Sequence, residues 1–121
     1  MNHIDIIGWL VADPETRTVS DAAMTKFTVA VQRTDTPKGG EKQADFIDCV
    51  AWRRNAEFIA KYFSKGRMIA VSGSLQIRQY TDREGNKRKI AEVVVDHAYF
   101  CGDKPRDNYA IVEDDDEGLP F

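Results

Sequence analysis

Hydrophobic and polar residues alternate along most of this chain with the period of two that is typical of β-strands. In residues 24–33, Phe27, Val29 and Val31 alternate with polar or small residues, which predicts one buried and one solvent-exposed face. Similar runs predict strands at residues 3–12, 17–19, 24–33, 45–53, 67–80 and 87–100. The chain up to residue 102 is therefore expected to be all-β apart from one segment.

That segment has a helical period. Ala56, Ile59, Ala60 and Phe63 follow the spacing i, i+3, i+4, i+7, which predicts a helix over residues 54–65. Gly66 is a natural stop after its last turn.

Turn residues separate the strands. Residues 36–42 predict an exposed, mobile loop and residues 82–86 a hairpin loop, and Gly73 predicts a bend or bulge inside its strand. This order favours a five-stranded OB-fold, a Greek-key barrel with one α-helix between its third and fourth strands.

Two of the strands carry candidate chemistry on the face opposite the expected core. In residues 45–53, alternation places Phe46, Asp48, Val50 and Trp52 together, opposite Ile47, Cys49 and Ala51. In residues 67–80 it places Ile69, Val71, Leu75 and Ile77 on one side and Gln76, Arg78 and Tyr80 on the other.

Aromatic side chains interleaved with basic and amide groups, including Lys26 on a third strand, suit single-stranded nucleic acid, since bases stack and phosphates pair with cations. The alternative is that Phe46 and Trp52 pack under a loop or at a subunit interface.

Charge changes this picture, because the net charge of -3 over 121 residues argues at first against a nucleic-acid binder. Residues 1–102 hold 15 basic and 13 acidic side chains, a balance of +2, whereas residues 103–121 hold 2 basic and 7 acidic ones, a balance of -5. We therefore divide the chain into an OB-fold domain that carries the candidate nucleic-acid surface (1–102), a short flexible linker (103–112) and an acidic C-terminal tip (113–121). The last two are predicted to be disordered, because they contain too few apolar groups to offset the entropy of ordering.

The tip combines acidic residues with an apolar end. An acidic run alone is usually a solubilising tail. Here Leu119, Pro120 and a terminal Phe121 follow it, a combination that suits capture of the ring and α-carboxylate by a partner protein. The predicted partner-binding residues are Asp114, Asp115, Asp116, Glu117, Leu119, Pro120 and Phe121.

Other chemistry has little support in the sequence. Cys49 and Cys101 form no CxxC motif and are expected to be reduced thiols, and His3 and His97 lie in no catalytic or zinc motif. We expect no catalytic residue, metal or cofactor. Without an apolar membrane span or a signal peptide, the protein is expected to be soluble and cytoplasmic.

Several segments resemble the bacterial single-stranded DNA-binding protein family. They are residues 13–17 (DPETR), 27–31 (FTVAV), 44–52 (ADFIDCVAW), 65–66 (KG), 73–75 (GSL) and 78–80 (RQY), together with the acidic tail ending in Leu119, Pro120 and Phe121. The similarity covers about residues 1–100 and, separately, the tip. The short chain would suit a phage, plasmid or mobile-element member of that family.

The resemblance implies an OB-fold homotetramer, associated with the nucleoid, that binds single-stranded DNA without catalysis. Through the tip it would recruit replication, recombination and repair proteins. The family's stacking positions carry over to Phe46, Trp52 and Tyr80, whereas Arg33 and Thr34 stand where another aromatic is common. Candidate phosphate or polar contacts are Lys26, Arg33, Arg54, Gln76, Arg78, Lys87, Arg88 and Lys89.

The tip departs from the family pattern, since Glu117 and Gly118 separate the acidic triplet from Leu119. Three alternative functions stay open: an OB-fold module for RNA or primosome assembly, a protein-interaction adaptor whose aromatic face is a subunit interface, and an enzyme such as a nuclease.

Overall fold

The structure is a computed structural model of the chain, and it describes residues 1–35, 39–40 and 43–102. The predicted linker and tip, and most of the predicted loop at 36–42, lie outside the described residues. The elements in chain order are β1 (Ile4–Leu10), β2 (Glu15–Val19), β3 (Ala22–Gln32), β4 (Ala44–Trp52), α1 (Arg54–Tyr62), β5 (Met68–Thr81) and β6 (Lys87–Phe100).

Five of the strands close into a barrel. The hydrogen-bonded order runs β1-β5-β6-β4-β3, and β3 pairs back onto β1 through Trp9–Ala30 and Leu10–Val29. All of these pairings are antiparallel except that of β4 with β6. The short β2 pairs with β3 and stands outside this circuit. The predicted five-stranded OB-fold, with its helix between the third and fourth barrel strands, is therefore confirmed.

The barrel interior is filled by the alternating apolar residues. Phe27 and Val29 of β3 are buried, as their alternation predicts, and they join Ile69 and Val71 of β5 in one core cluster. Helix α1 adds Ala56 and Ile59 to the same cluster, and the ring of Phe63 stacks on that of Phe100 at 5.0 Å between centroids. The helix thus covers part of the core rather than the outer surface of the sheet.

The helix is shorter than its sequence pattern. It ends at Tyr62, and Phe63 has extended dihedrals while its N–H still bonds to the carbonyl of Ile59 at 3.0 Å. Gly66 does adopt a positive φ of 85°, but it does so in the turn that leads into β5. Its N–H donates to the carbonyl of Leu10, so this glycine serves the barrel and does not end the helix.

The β5–β6 register does shift where the bend or bulge was predicted, but the extra residue is on the partner strand: Asp96 of β6 lies opposite the step from Ser72 to Gly73. A side chain there would strike the carbonyl of Val94, so this close strand approach requires glycine. Beyond it the β5–β6 hairpin extends past the core. Leu75 and Ile77 share a side with Ile69 and Val71, as predicted, yet they are 43% and 56% exposed because the helix and the other strands do not reach them.

Candidate nucleic-acid interface

The sheet register brings the predicted chemistry together on the outer surface of the barrel. Lys26 of β3 lies beside Val50 of β4, and Val50 lies beside Val94 of β6. Because residues two apart in a strand share a face, Trp52 joins this row, and Gln76, Arg78 and Tyr80 extend it along β5. We call the surface made by Lys26, Phe46, Val50, Trp52, Gln76, Arg78 and Tyr80 the binding face.

An open pocket of about 360 Å³ lies at the centre of this face. Its lining joins residues that are far apart in the chain: Met24, Lys26, Val50, Trp52, Gln76, Arg78, Glu92 and Val94. Val50 is only 4% exposed and forms the apolar floor, while the longer side chains form the rim. The sequence predicted five of these eight residues as a set from three separate strands.

The three predicted stacking residues are exposed rather than packed in the core. Phe46 is 69%, Trp52 38% and Tyr80 46% accessible, and none belongs to the core cluster. Phe46 and Trp52 are six positions apart on one strand, a distance of about 20 Å at about 3.3 Å per residue. The aromatics are therefore spaced as separate platforms along a path and do not form one cluster.

The predicted cations are divided among several places. Arg88 pairs with Tyr80 across the hairpin and shares its face, whereas Lys87 and Lys89 pair with Thr81 and Gln79 and project from the other side. Arg54 begins helix α1, two residues after Trp52. Arg33 follows the end of β3, and a wide, open depression adjoins it with Asp45 on its rim.

The arginines are anchored by carboxylates. Arg78 donates from Nε to Glu92 at 3.0 Å, and Arg33 donates from Nε and Nη2 to one oxygen of Asp45 at 3.0 and 2.8 Å. In the part of the chain that the structure describes, no carboxylate lies within 4.0 Å of the Lys26 ammonium. Lys26 is consequently the unpaired cation beside the aromatic pocket.

The hairpin loop is ordered by Asp82. Its carboxylate accepts the backbone N–H groups of Glu84 and Asn86 and the Nε–H of Arg88 at 2.9 to 3.0 Å. The hydrogen bond from Arg88, with those from Asn86 and Glu84, lowers the pKa of Asp82. This carboxylate fixes the loop and directs Arg88 along the face that carries Tyr80.

Sequence reasoning placed Asp48 on this side of β4 but missed Glu92 of β6. Glu92 and Asp48 alternate onto the same side as Val94 and Val50, and Thr28 donates to Asp48 at 3.0 Å. Glu92 lies within reach of Arg78 only because β5 and β6 are paired antiparallel. The available signal was the period of two in residues 87–100, which places Glu92, Val94 and Ile90 together.

A second exposed apolar surface was also missed. Ile7, Trp9 and Tyr99 are 59%, 41% and 45% exposed. The register places Ile7 beside Ala70 of β5 and Ala70 beside Tyr99 of β6. We call Ile7, Trp9 and Tyr99 the apolar face, and it lies on the part of the barrel formed by β1.

The cysteines and the remaining candidate ligands show no reactive arrangement. Both cysteines are free, and burial raises the pKa of the Cys49 thiol to about 12. Burial also raises the pKa of Cys101. Over residues 1–35, 39–40 and 43–102, no three His, Cys, Asp or Glu side chains converge as metal ligands. None of the described helices is long and apolar enough to cross a membrane.

Comparison with known proteins shows which family the chain matches. Residues 1–101 match the model of the Single-strand binding protein family. The chain is 41% identical over 109 residues to Single-stranded DNA-binding protein 2 of Listeria monocytogenes, which covers 89% of this chain and 67% of the relative. It is 42% identical over 105 residues to Single-stranded DNA-binding protein A of Bacillus subtilis, covering 86% and 61%.

A third relative is Single-stranded DNA-binding protein 1 of Staphylococcus aureus, 43% identical over 105 residues that cover 86% of this chain and 63% of that protein. The chain thus spans roughly three-fifths to two-thirds of the length of these relatives.

Proposed function

This chain belongs to the Single-strand binding protein family, and from that premise we propose that it binds and protects single-stranded DNA without strong sequence preference and without catalysis. The observation that carries the proposal is the binding face, where exposed aromatic rings lie beside cations on the outer surface of the barrel. The names of its relatives, which are single-stranded DNA-binding proteins, support the same reading.

Stacking supplies the grip that does not depend on sequence. Each base offers a π-face, and a base stacked on an aromatic side chain contributes about 1–3 kcal/mol. Phe46, Trp52 and Tyr80 are exposed enough to take one base each, and the apolar floor at Val50 favours a ring over a phosphate in the central pocket. Gln76 on the rim adds an amide that pairs with any base edge.

Phosphate contacts supply the rest of the affinity. Lys26 and Arg78 border the pocket, Arg88 lies farther along the hairpin on the same side, and Arg33 and Arg54 lie at the ends of β3 and α1. Because 13 acidic side chains offset the 15 basic ones in residues 1–102, the domain balance is only +2 and phosphate contacts depend on where individual cations lie. Lys87 and Lys89 project from the side of the hairpin opposite Arg88. They would contact DNA only where the nucleic-acid strand passes along that opposite side.

A fluorescence titration tests the proposal directly. The chain has two tryptophans, Trp9 on the apolar face and Trp52 on the binding face. In a Trp9→Phe variant, Trp52 is the single reporter, and oligo-dT should quench it while duplex DNA of equal length should not. Oligo-dT that binds but leaves Trp52 unquenched would contradict the assigned face, and preference for an RNA oligomer would favour an RNA-binding module.

We also assign the apolar face to assembly into a homotetramer. Its three large exposed side chains lie on β1 and β6, on either side of β5, and form a patch rather than an isolated surface residue. Exposed apolar patches mark contacts with other proteins. Light scattering with and without poly-dT would report the mass of the assembly and its DNA occupancy. A monomeric mass at micromolar concentration would contradict the assignment of the apolar face to assembly.

The acidic tip is proposed to recruit replication, recombination and repair proteins. Its sequence joins Asp114, Asp115, Asp116 and Glu117 to Leu119, Pro120 and Phe121, a chemistry that fits an apolar pocket with a basic rim. Deletion of Phe121 should abolish partner capture in a pull-down and leave DNA affinity equal or higher. On this reading the protein acts in the cytoplasm, on the nucleoid, as a binder rather than an enzyme.

A further inference from the structure

Three arginines proposed to contact phosphate are already paired with carboxylates. Among the described residues, these pairs are Arg33 with Asp45, Arg78 with Glu92, and Arg88 with Asp82. The candidate lysines have no such partner within 4.0 Å in that part of the chain. A DNA phosphate therefore meets the arginines in competition with carboxylates of the protein itself.

The three pairs differ in how readily the carboxylate could be released. The side chain of Glu92 is only 13% exposed, so losing Arg78 would leave a charge largely out of water. Asp82 also holds two backbone amides of the hairpin loop and is not free to leave. Asp45 is 50% exposed, and the only side chain bonded to it among the described residues is Arg33, so water can replace that partner.

Arg33 itself is held through one edge of its guanidinium. Nε and Nη2 both donate to the same oxygen of Asp45, which raises the pKa of Arg33, and Nη1 is left for another acceptor. Asp35 lies on the rim of the same depression and adds a second negative charge. Among the described residues, two carboxylates therefore act on this one cation.

We propose that Asp45 is a displaceable counter-ion that positions Arg33 and masks its charge, and that a DNA phosphate replaces it on binding. This inference rests on the proposed function and adds to it a competition internal to the site. By contrast, Arg78 keeps its bond to Glu92 and offers phosphate only its outer N–H groups.

The exchange has a measurable signature in salt dependence. Neutralising one phosphate of a single strand normally steepens the slope of log K against log salt by about 0.7. When the cation is taken from Asp45, the freed carboxylate repels the neighbouring phosphates, and added salt screens this repulsion, so the Arg33 contact contributes less than this. Removing the Asp45 carboxylate should restore the missing part of the contribution that Arg33 makes to the salt slope.

The test is a titration of the full chain with oligo-dT from about 20 to 200 mM salt, comparing wild type with Asp45→Asn. The slope of log K against log salt should be steeper for Asp45→Asn than for wild type, by up to about 0.7. Over this tenfold range, the ratio of the binding constant at low salt to that at high salt should therefore be up to about five times larger in the variant. Asp48→Asn is the matched control, because it removes one negative charge from the same strand without releasing an arginine.

A double-mutant cycle with Arg33→Gln connects the effect to the arginine. The steepening by Asp45→Asn should disappear in the Arg33→Gln background, and thermal melting should show all variants folded. Three results would overturn the inference: an unchanged slope, a weaker-binding Asp45→Asn variant, or an equal change in Asp48→Asn. If wild type itself did not bind oligo-dT, the proposed function would fail instead.

Discussion

The binding face and the apolar face both expose large side chains on one small barrel, yet they suit different partners. Trp52 lies beside Lys26 and Arg78, whereas Trp9 lies beside Ala30 and Met68. At the start of β1, Nε2 of His3 lies 3.0 Å from the carboxylate of Asp5. An aromatic ring does not identify its ligand, because the charges around the ring decide between a nucleotide and another protein surface.

Placing a charge on the apolar face should have the largest effect. Ile7→Asp puts a carboxylate where the proposed assembly excludes water, and we expect the tetramer to dissociate into smaller species. Light scattering measures the mass, and Ile77→Asp, an equally exposed residue on the hairpin, is the control. An unchanged mass for Ile7→Asp would mean that assembly uses another surface.

Removing a ring from the binding face should have the next largest effect. Phe46→Ala deletes a side chain that is 69% exposed and outside the core, so we expect little change in the melting temperature. One stacked base is worth about 1–3 kcal/mol, so affinity for oligo-dT should fall about 5- to 150-fold. Trp9→Ala, measured at concentrations where assembly is complete, should leave the affinity near wild type, and equal losses in both variants would erase the distinction between the faces.

Removing a cation should have a smaller effect that is uniform over sequences. Arg78→Ala should weaken binding to oligo-dT and oligo-dC alike and reduce the steepness of the salt slope by about 0.7 at most. The paired variant Arg78→Ala/Glu92→Gln separates the loss of a phosphate contact from the exposure of an unpaired carboxylate. A change confined to one homopolymer would show that Arg78 reads a base instead.

Acidification should have the smallest and most local effect. The pKa of Asp82 is lowered mainly by its hydrogen bond from Arg88. The ionised carboxylate therefore stabilises the loop at pH values above the ordinary pKa of Asp. This stabilisation is lost as the pH falls through the lowered pKa. The amides of Glu84 and Asn86 should lose protection from hydrogen exchange below about pH 3.8, the ordinary value for Asp. The amides of the barrel should not follow them, and an Asp82→Asn variant should show no such transition.

Much of the fold was accessible from local pattern. The period of two in β3 predicts its buried and exposed faces, and glycine at position 73 predicts where the β5–β6 register shifts, because both depend on the backbone and on neighbouring residues. The end of α1 was not accessible, since Phe63 keeps the helical spacing but leaves the helix to stack on Phe100, thirty-seven positions away. Leu75 and Ile77 show the same limit, because their exposure depends on where other elements end.

The candidate site was predicted unevenly for the same reason. Phe46, Trp52 and Arg78 could be selected because side-chain type and strand alternation are properties of each strand alone. Glu92 and Asp45 could not, since a carboxylate becomes the partner of an arginine only through strand pairing across 12 to 14 residues.

The sequence by itself determined the strands, their faces, the division of charge and the family, because each is recorded in residue types at short spacing. Tertiary structure alone decided which outward-facing strands became neighbours, which aromatics received cations, and which arginines were already occupied. These properties arise from closure of the barrel, where β3 meets β1 and β6 meets β4. Contacts of that kind depend on the whole set of strands, and no single segment of the chain specifies them.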